Sequence, residues 1–404
     1  MWLIRWEIEN FIYLCRLEKN NEKSDNTMKF NVPSKQLYNQ VALVGKVISS
    51  KNAMTILNNF LFTLEGNRLT VTGSDVENTL SASMEVGDYE GEGRFCADAK
   101  KILDLLKELP DQGITFDVND SNFTIAITSQ NGVFNLIGAN GNEYPQTVES
   151  SDSDAALTFT APADQLLNGL DNTLFAAGND EIWPQMMGVF FDIKEDNLTM
   201  VATDSRKLVR YVDSTYQPGV TGSFILPSKP AAILKTVFAK AASDITVTFD
   251  AKSGTFEAGD CTFNCRFIKG NFPDYNRVIP QNLPVSLTVD RLAFLNAVKR
   301  VAVFVEQGHG LVKFNVGTSE LTIKAQDNTL CTSGTETLPC TFDGQPMVIG
   351  FGATFLIEIF STLQSDEVVL KLSDPSRPGL FLPSENPEGT DLLMLLMPMT
   401  VGEF

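Results

Sequence analysis

Short alternations of apolar and polar residues run through the chain. Met28-Lys29-Phe30-Asn31-Val32, Leu157-Thr158-Phe159-Thr160-Ala161 and Val285-Ser286-Leu287-Thr288-Val289 each place every second side chain on one face, the period of a half-buried strand. Behind each opening the pattern turns helical, over 34–48, 162–177 and 290–304. A second helix is predicted over 97–109, 228–241 and 353–364, each chased by a strand over 114–118, 245–249 and 368–372.

The three openings lie about 128 residues apart, and other blocks keep the same register. Leu69-Thr70-Val71-Thr72-Gly73-Ser74-Asp75, Leu198-Thr199-Met200-Val201-Ala202-Thr203-Asp204 and Leu321-Thr322-Ile323-Lys324-Ala325-Gln326-Asp327 share a Leu-Thr step and end on aspartate. The chain is therefore an internal repeat of three units, with seams near 153 and 283. Turn signals at Glu65-Gly66-Asn67, Asn131-Gly132 and Asp343-Gly344 join strands without crossover helices. The fold class is α+β, with antiparallel sheets and two helices per unit. Like units in head-to-tail contact close into a ring when the rotation closes, and closure pairs every open sheet edge. Three units per chain and a symmetric partner would make a ring of six.

Composition sharpens this picture. The 404 residues are 43% apolar, enough for several cores, and the 28 phenylalanines suit buried strand positions. The net charge of −19 argues against wrapping nucleic acid tightly. Its distribution changes that reading. The six helical stretches together carry +4, which leaves −23 for strands and loops. Helices lining a hole would make it mildly basic inside an acidic exterior, and phosphate contacts without base readout leave DNA free to slide. Ordinary solvated helix faces would give the same count.

Candidate chemistry is sparse. The six cysteines, at 15, 96, 261, 265, 331 and 340, form no CxxC pair. Cys261 and Cys265 read as small buried residues on one strand face. His309, the single histidine, sits between Gly308 and Gly310 and reads as a turn residue. No metal site, catalytic residue or cofactor is expected. A hydrolase built on Asp75, Asp204 and Asp327 is the competing enzyme reading, but acids in equivalent places of three units do not readily converge, so a turn or cap role is expected. No apolar run is long enough for a membrane span. The apolar stretch in 1–27 is broken by Arg5, Glu7, Glu9 and Arg16 and has no cleavage site, so the chain reads as cytoplasmic and reduced. It has no GxxxxGK[ST] phosphate loop.

Three motifs then stand in order on the repeat: Val201-Ala202-Thr203-Asp204-Ser205-Arg206-Lys207-Leu208, Asn271-Phe272-Pro273-Asp274-Tyr275-Asn276-Arg277-Val278-Ile279-Pro280, and Met397-Pro398-Met399. Together they resemble the bacterial beta sliding clamp family, the beta subunit of DNA polymerase III, over 28–404. The resemblance implies the DNA clamp fold, with domains over 28–153, 154–283 and 284–404, closed into a ring as a head-to-tail homodimer with helices inside. It implies a non-enzymatic processivity factor that encircles double-stranded DNA without sequence preference, is loaded by an ATP-dependent clamp loader, and tethers the replicative polymerase subunit, other polymerases and repair proteins through a short peptide. The matching peptide-pocket positions are Met186, Thr203, Leu208, Pro273, Arg277, Val278, Pro378, Leu396, Met397, Pro398 and Met399. Lys51, Lys229, Arg206 and Lys207 would face DNA. Phe134 and Leu136 would meet Val303 and Phe304 across the dimer interface.

Several places depart from the family pattern. Thr400 and Val401 follow the Met-Pro-Met step, Ser205-Arg206-Lys207 stands where Gly-His-Arg is common, and Trp183-Pro184-Gln185 replaces a more aromatic stretch. Residues 1–27 have no counterpart and read as an upstream translation start or a flexible arm. The alternative to the clamp is a β-rich three-domain scaffold or ligand-binding protein without DNA.

Overall fold

The computed structural model describes residues 27–49, 52, 54–145, 156–239, 241, 243–305, 310–327 and 329–401. His309, Lys51, Cys15 and the extension up to residue 26 lie outside the described residues. Two compact units emerge: residues 1–149 with 259–265, and residues 150–258 with 266–404.

In the first unit, the strand Thr27–Pro33 pairs along its length with Gly113–Asn119, which continues into Thr124–Thr128 and Val133–Ile137. A second sheet runs through Gly93–Asp98, Asn59–Glu65, Arg68–Ser74 and Asn78–Glu85. Residues Cys261 to Cys265 add to its far side, opposite Asn78 to Ala82. The two sheets meet through phenylalanines: Phe30 stacks on Phe116 at 4.9 Å and Phe62 on Phe95 at 4.9 Å. All four are fully buried, and such pairs add about 0.5–1.5 kcal/mol each beyond the area they bury. Helices α1 (Ser34–Val44) and α2 (Ala99–Glu108) pack on each other. Spacing makes α2 amphipathic: it buries Ala99, Ile102 and Leu106, while Asp98 caps its start by accepting from Lys101 N at 2.8 Å.

In the second unit, a nine-stranded sheet crosses from the second repeat into the third. Gly222–Pro227, Gly188–Lys194, Asn197–Thr203 and Lys207–Asp213 follow one another, and Thr390–Leu396 then pairs with Lys207–Asp213 residue for residue. Gly379–Pro383, Glu367–Leu372 and Val285–Asp290 complete it but for a two-residue edge. Four further strands, Thr332–Pro339, Glu320–Asp327, Leu311–Val316 and Met347–Gly352, form a separate sheet. Helices α3 (Ala163–Thr173) and α4 (Ser228–Val237) form one packed pair, α5 (Arg291–Val301) and α6 (Ala353–Thr362) another.

All six predicted helices form. The predicted spans run several residues past α1, α3, α4 and α5; for α3 and α5 the excess is the short 3₁₀ turns Leu174–Ala176 and Ala302–Phe304 that prolong them. Among the described residues, no helix is long and apolar enough to cross a membrane.

Candidate docking groove

The hairpin that joins Asn197–Thr203 to Lys207–Asp213 sets one wall of an apolar groove. Asp204 Oδ1 accepts from Arg206 N at 2.9 Å and from Lys207 N at 2.8 Å, an arrangement that closes the tip. Ser205 takes φ 73° within it. Thr203 Oγ1 donates to Lys207 O at 2.8 Å. Opposite, the segment after Thr390–Leu396 is tied down where Met397 N donates to Arg206 O at 2.8 Å. The floor is a buried cluster that includes Val201, Leu208, Tyr275, Leu393 and Leu395, with Phe190 and Phe272 packed against it. Phe272 stacks on Phe190 at 4.8 Å and 4°.

The resulting groove has a volume of about 400 Å³. The structure brings Met186, Thr203, Leu208, Pro273, Val278, Pro378 and Met397 together in its lining. Ser205, Phe272, Asp274, Tyr275 and Leu395 line it too. Phe272, Asp274 and Tyr275 belong to the Asn271–Pro280 motif, so their neighbourhood was visible in the sequence. Leu395 in place of Leu396 is a question of strand face: one residue along a strand moves a side chain to the other side. Leu395 stands opposite Leu208, and Leu396 is fully buried opposite Lys207. Pro398 and Met399 line an adjoining concavity of about 620 Å³, shared through Arg206 and Met397. Arg277 is not on the groove wall: it is highly exposed, with Nε 2.9 Å from Asp274 Oδ2.

Tyr275 fixes the floor electrostatically. Its hydroxyl donates to Asp192 Oδ2 at 2.9 Å, and burial, then the bond and charge of Asp192, push the phenol up to about 12. It therefore remains a neutral donor.

Lys207 corrects one expectation. Expected as an exposed cation, it is 5% exposed, its Nζ lies 2.6 Å from Glu358 Oε2 and 3.6 Å from Asp204 Oδ2, and it sits 4.7 Å from the centre of the Phe355 ring. Burying an ammonium without such partners would cost several kcal/mol, so the ion pair and the ring go with the burial. Arg206 is exposed and lines both concavities. Lys229 is exposed at the start of α4.

The recurring aspartates act in turns. Asp75 Oδ1 accepts from Asn78 N at 2.7 Å, and Asp327 Oδ1 from Leu330 N at 2.9 Å, like Asp204 in its own turn. Burial pushes the Cys96 thiol up to about 12 and that of Cys265 up as well, which leaves both as inert core residues. No cluster of metal-ligating side chains occurs among the described residues.

Two sheet edges expose apolar side chains. Val133–Ile137 ends the first unit's five-stranded sheet, with Phe134 36% and Ile137 84% exposed and Leu136 half-buried. Thr332–Pro339 ends the four-stranded sheet of the second unit, and Phe304 lies over Gly334 beside exposed Val303.

Family models of the DNA polymerase III beta subunit match this sequence in three places: the N-terminal domain at 28–148, the central domain at 160–274 and the C-terminal domain at 276–400. A beta sliding clamp of Synechococcus elongatus is 27% identical over 367 residues, 88% of this chain and 96% of the relative. One from Chlamydia muridarum is 25% identical over 382 residues, 93% of this chain and all of the relative. Among solved structures, a DnaN sliding clamp from Bartonella birtlesii bound to griselimycin superposes with a TM-score of 0.86 at 27% identity, covering 93% of this chain and 100% of that one. The Thermotoga maritima beta subunit shares the fold at 23% identity, with a TM-score of 0.84 over 93% of this chain and 100% of that one.

Proposed function

From the premise that the chain belongs to the DNA polymerase III beta subunit family, we propose that the groove at Pro273 and Met397 receives short apolar segments of the proteins that the clamp holds on DNA. The chain is a DNA sliding clamp, a non-catalytic processivity subunit that encircles duplex DNA as a homodimeric ring and carries polymerase and other peptide-bearing partners. A ring works by linkage. It raises the effective concentration of a polymerase at the primer end without tight affinity for DNA.

The observation that carries the docking reading is the groove itself. It is an apolar concavity of about 400 Å³ at the surface, with Met397 41% and Val278 55% exposed at its margin. Exposed apolar surface of this kind marks interaction sites, and methionine tolerates several ligands. Met186, Thr203, Leu208, Pro273, Pro378, Val278 and Met397 are proposed as its contacts, with Pro398 and Met399 serving the adjoining concavity. Leu396 supports the wall from behind, and Arg277 stands at the rim. The Bartonella relative with bound griselimycin is consistent with a ligand-binding surface in this family.

The rest of the reading follows from family membership. Three clamp domains are proposed over 28–153, 154–283 and 284–404; the family models match 28–148, 160–274 and 276–400, so the last begins eight residues ahead of the proposed second seam. Phe134 and Leu136 would meet Val303 and Phe304 of a second copy, edge strand to edge strand, and Lys229 with Lys51 would touch phosphates. An ATP-dependent loader opens the ring, and the compartment is the cytoplasm.

The deciding experiment follows the full chain on closed circular DNA in the presence of a loader and ATP. Retention as a dimer that ends when the circle is linearised is the expected result. Retention indifferent to linearisation, or a monomer throughout, would overturn the clamp reading.

A further inference from the structure

The two exposed sheet edges differ in charge. No charged residue occurs from Ser121 to Asn142, a run that spans Thr124–Thr128 and Val133–Ile137 in a chain that is 20% charged. The first unit's edge therefore presents backbone groups and uncharged side chains only. Alternation puts Phe134 and Leu136 on its inner face, opposite buried Ile127 and Ile125.

The second unit's edge, Thr332–Pro339, carries one charge, Glu336. Alternation sets it on the half-buried face, with Gly334 and Leu338. The Phe304 ring covers Gly334 so closely that a Cβ there would come within 2.6 Å of it. Glu336 is held from the helix that leads to Phe304. Arg300, in the last turn of α5, donates from Nε to Glu336 Oε1 and from Nη2 to Oε2, the latter at 2.6 Å. This forked bond holds the Glu336 carboxyl below its usual range and engages both of its oxygens within one chain.

Pairing of the two edges would set the Glu336 carboxylate beside Phe134 and Leu136 of a second copy, whose edge strand brings no cation. A carboxylate covered without a partner is strongly unfavourable, and removing one member of a covered pair strands the other. We propose that Arg300 is a positioning residue of the subunit contact: it neutralises Glu336 within its own chain, so that the two edge strands meet on apolar surface and backbone, with no ion pair between them. The proposal rests on the edge-to-edge reading above. It gives the contact a signature, because an attraction without charge across it is not screened by salt.

The test measures the dimer dissociation constant of the full-length protein by analytical ultracentrifugation. For the parent protein it should change less than about threefold between about 50 and about 500 mM salt. Arg300→Met keeps an apolar stem and removes the charge, and it should weaken the dimer about thirtyfold. Glu336→Gln alone should leave the dimer nearly unchanged, since the Arg300 side chain is 61% exposed and turns to water. The double variant Arg300→Met/Glu336→Gln should return to within about threefold of the parent. That recovery separates neutralisation from support of the strand, because a lost support would not be restored by removing the carboxylate. A dimer indifferent to Arg300→Met, no recovery in the double variant, or a parent dimer that loosens about tenfold or more as salt rises would each overturn the proposal while leaving the edges as the contact. Phe134→Asp reports on the edges themselves. If the dimer survives that substitution, or the parent protein is a monomer, the edge-to-edge reading fails and the proposal with it.

Discussion

Val76 and Ser205 follow the first two of the repeated aspartates, and both take left-handed backbone, at φ 79° and 73°. The turn imposes this on whatever residue comes next, and a β-branched side chain tolerates it poorly. Val76 is 42% exposed, so little apolar burial is lost by changing it. Val76→Asn is expected to stabilise the protein by about 1 kcal/mol, seen as a rise in the thermal unfolding midpoint. Tyr275 leads to a prediction of the opposite sense. Its phenol is raised from 10.0 to about 12, first by burial and then by Asp192, and that of Tyr211 rises to about 12, chiefly by burial. Groups raised in the folded state contribute stability that is fully present below pH 10 and is lost as pH climbs through 12. Thermal midpoints measured from pH 8 upward should fall in that window, and Tyr275→Phe should soften the fall while costing about 1 kcal/mol at neutral pH, because Asp192 loses its donor. The turn role of the aspartates was legible in the sequence, since three copies in different units excluded one shared site. The burial of Lys207 was not. Its partners Glu358 and Phe355 lie about 150 residues further on, and nothing near a turn lysine announces them.

At the scale of elements, alternation located the strands that open each repeat nearly to the residue: Thr27–Pro33, Leu157–Ala161 and Val285–Asp290. Period-2 and period-3.6 patterns are local signals, and local signals determine where an element starts. They do not name its partner. The placement of Cys261 to Cys265 against Asn78 to Ala82, in the first compact unit, joins segments far apart in sequence, and the alternation of the strand is compatible with many neighbours. The two free edges also belong to this scale. Among the described residues, Val133–Ile137 and Thr332–Pro339 each lack a neighbour on one side, and exposed edges with apolar side chains invite pairing with another chain. Phe134→Asp and Val303→Asp are each expected to shift the protein from dimer to monomer at micromolar concentration, as read by native mass spectrometry, with the thermal midpoint of the monomer little changed. A dimer undisturbed by both substitutions would exclude these edges as the contact.

For the whole molecule, the charge of −19 fits retention by enclosure better than retention by ion pairing. Affinity built on phosphate contacts falls steeply with salt, whereas a closed ring on a closed circle has no end to leave by. Once loaded, the protein is expected to stay on circular DNA when salt is raised from 50 to about 500 mM, and to leave linear DNA quickly under the same conditions. The pairing of Lys207–Asp213 with Thr390–Leu396 has a consequence in time as well as in space. A ribosome adding roughly 5–20 residues per second delivers the second of these strands some ten to thirty-five seconds after the first. Through that interval Lys207–Asp213 waits with one edge bare, and Leu395 and Met397 are not yet present to complete the groove. A nascent chain is therefore exposed to wrong pairing at its middle, and it cannot recruit a partner until its last strand has been inserted.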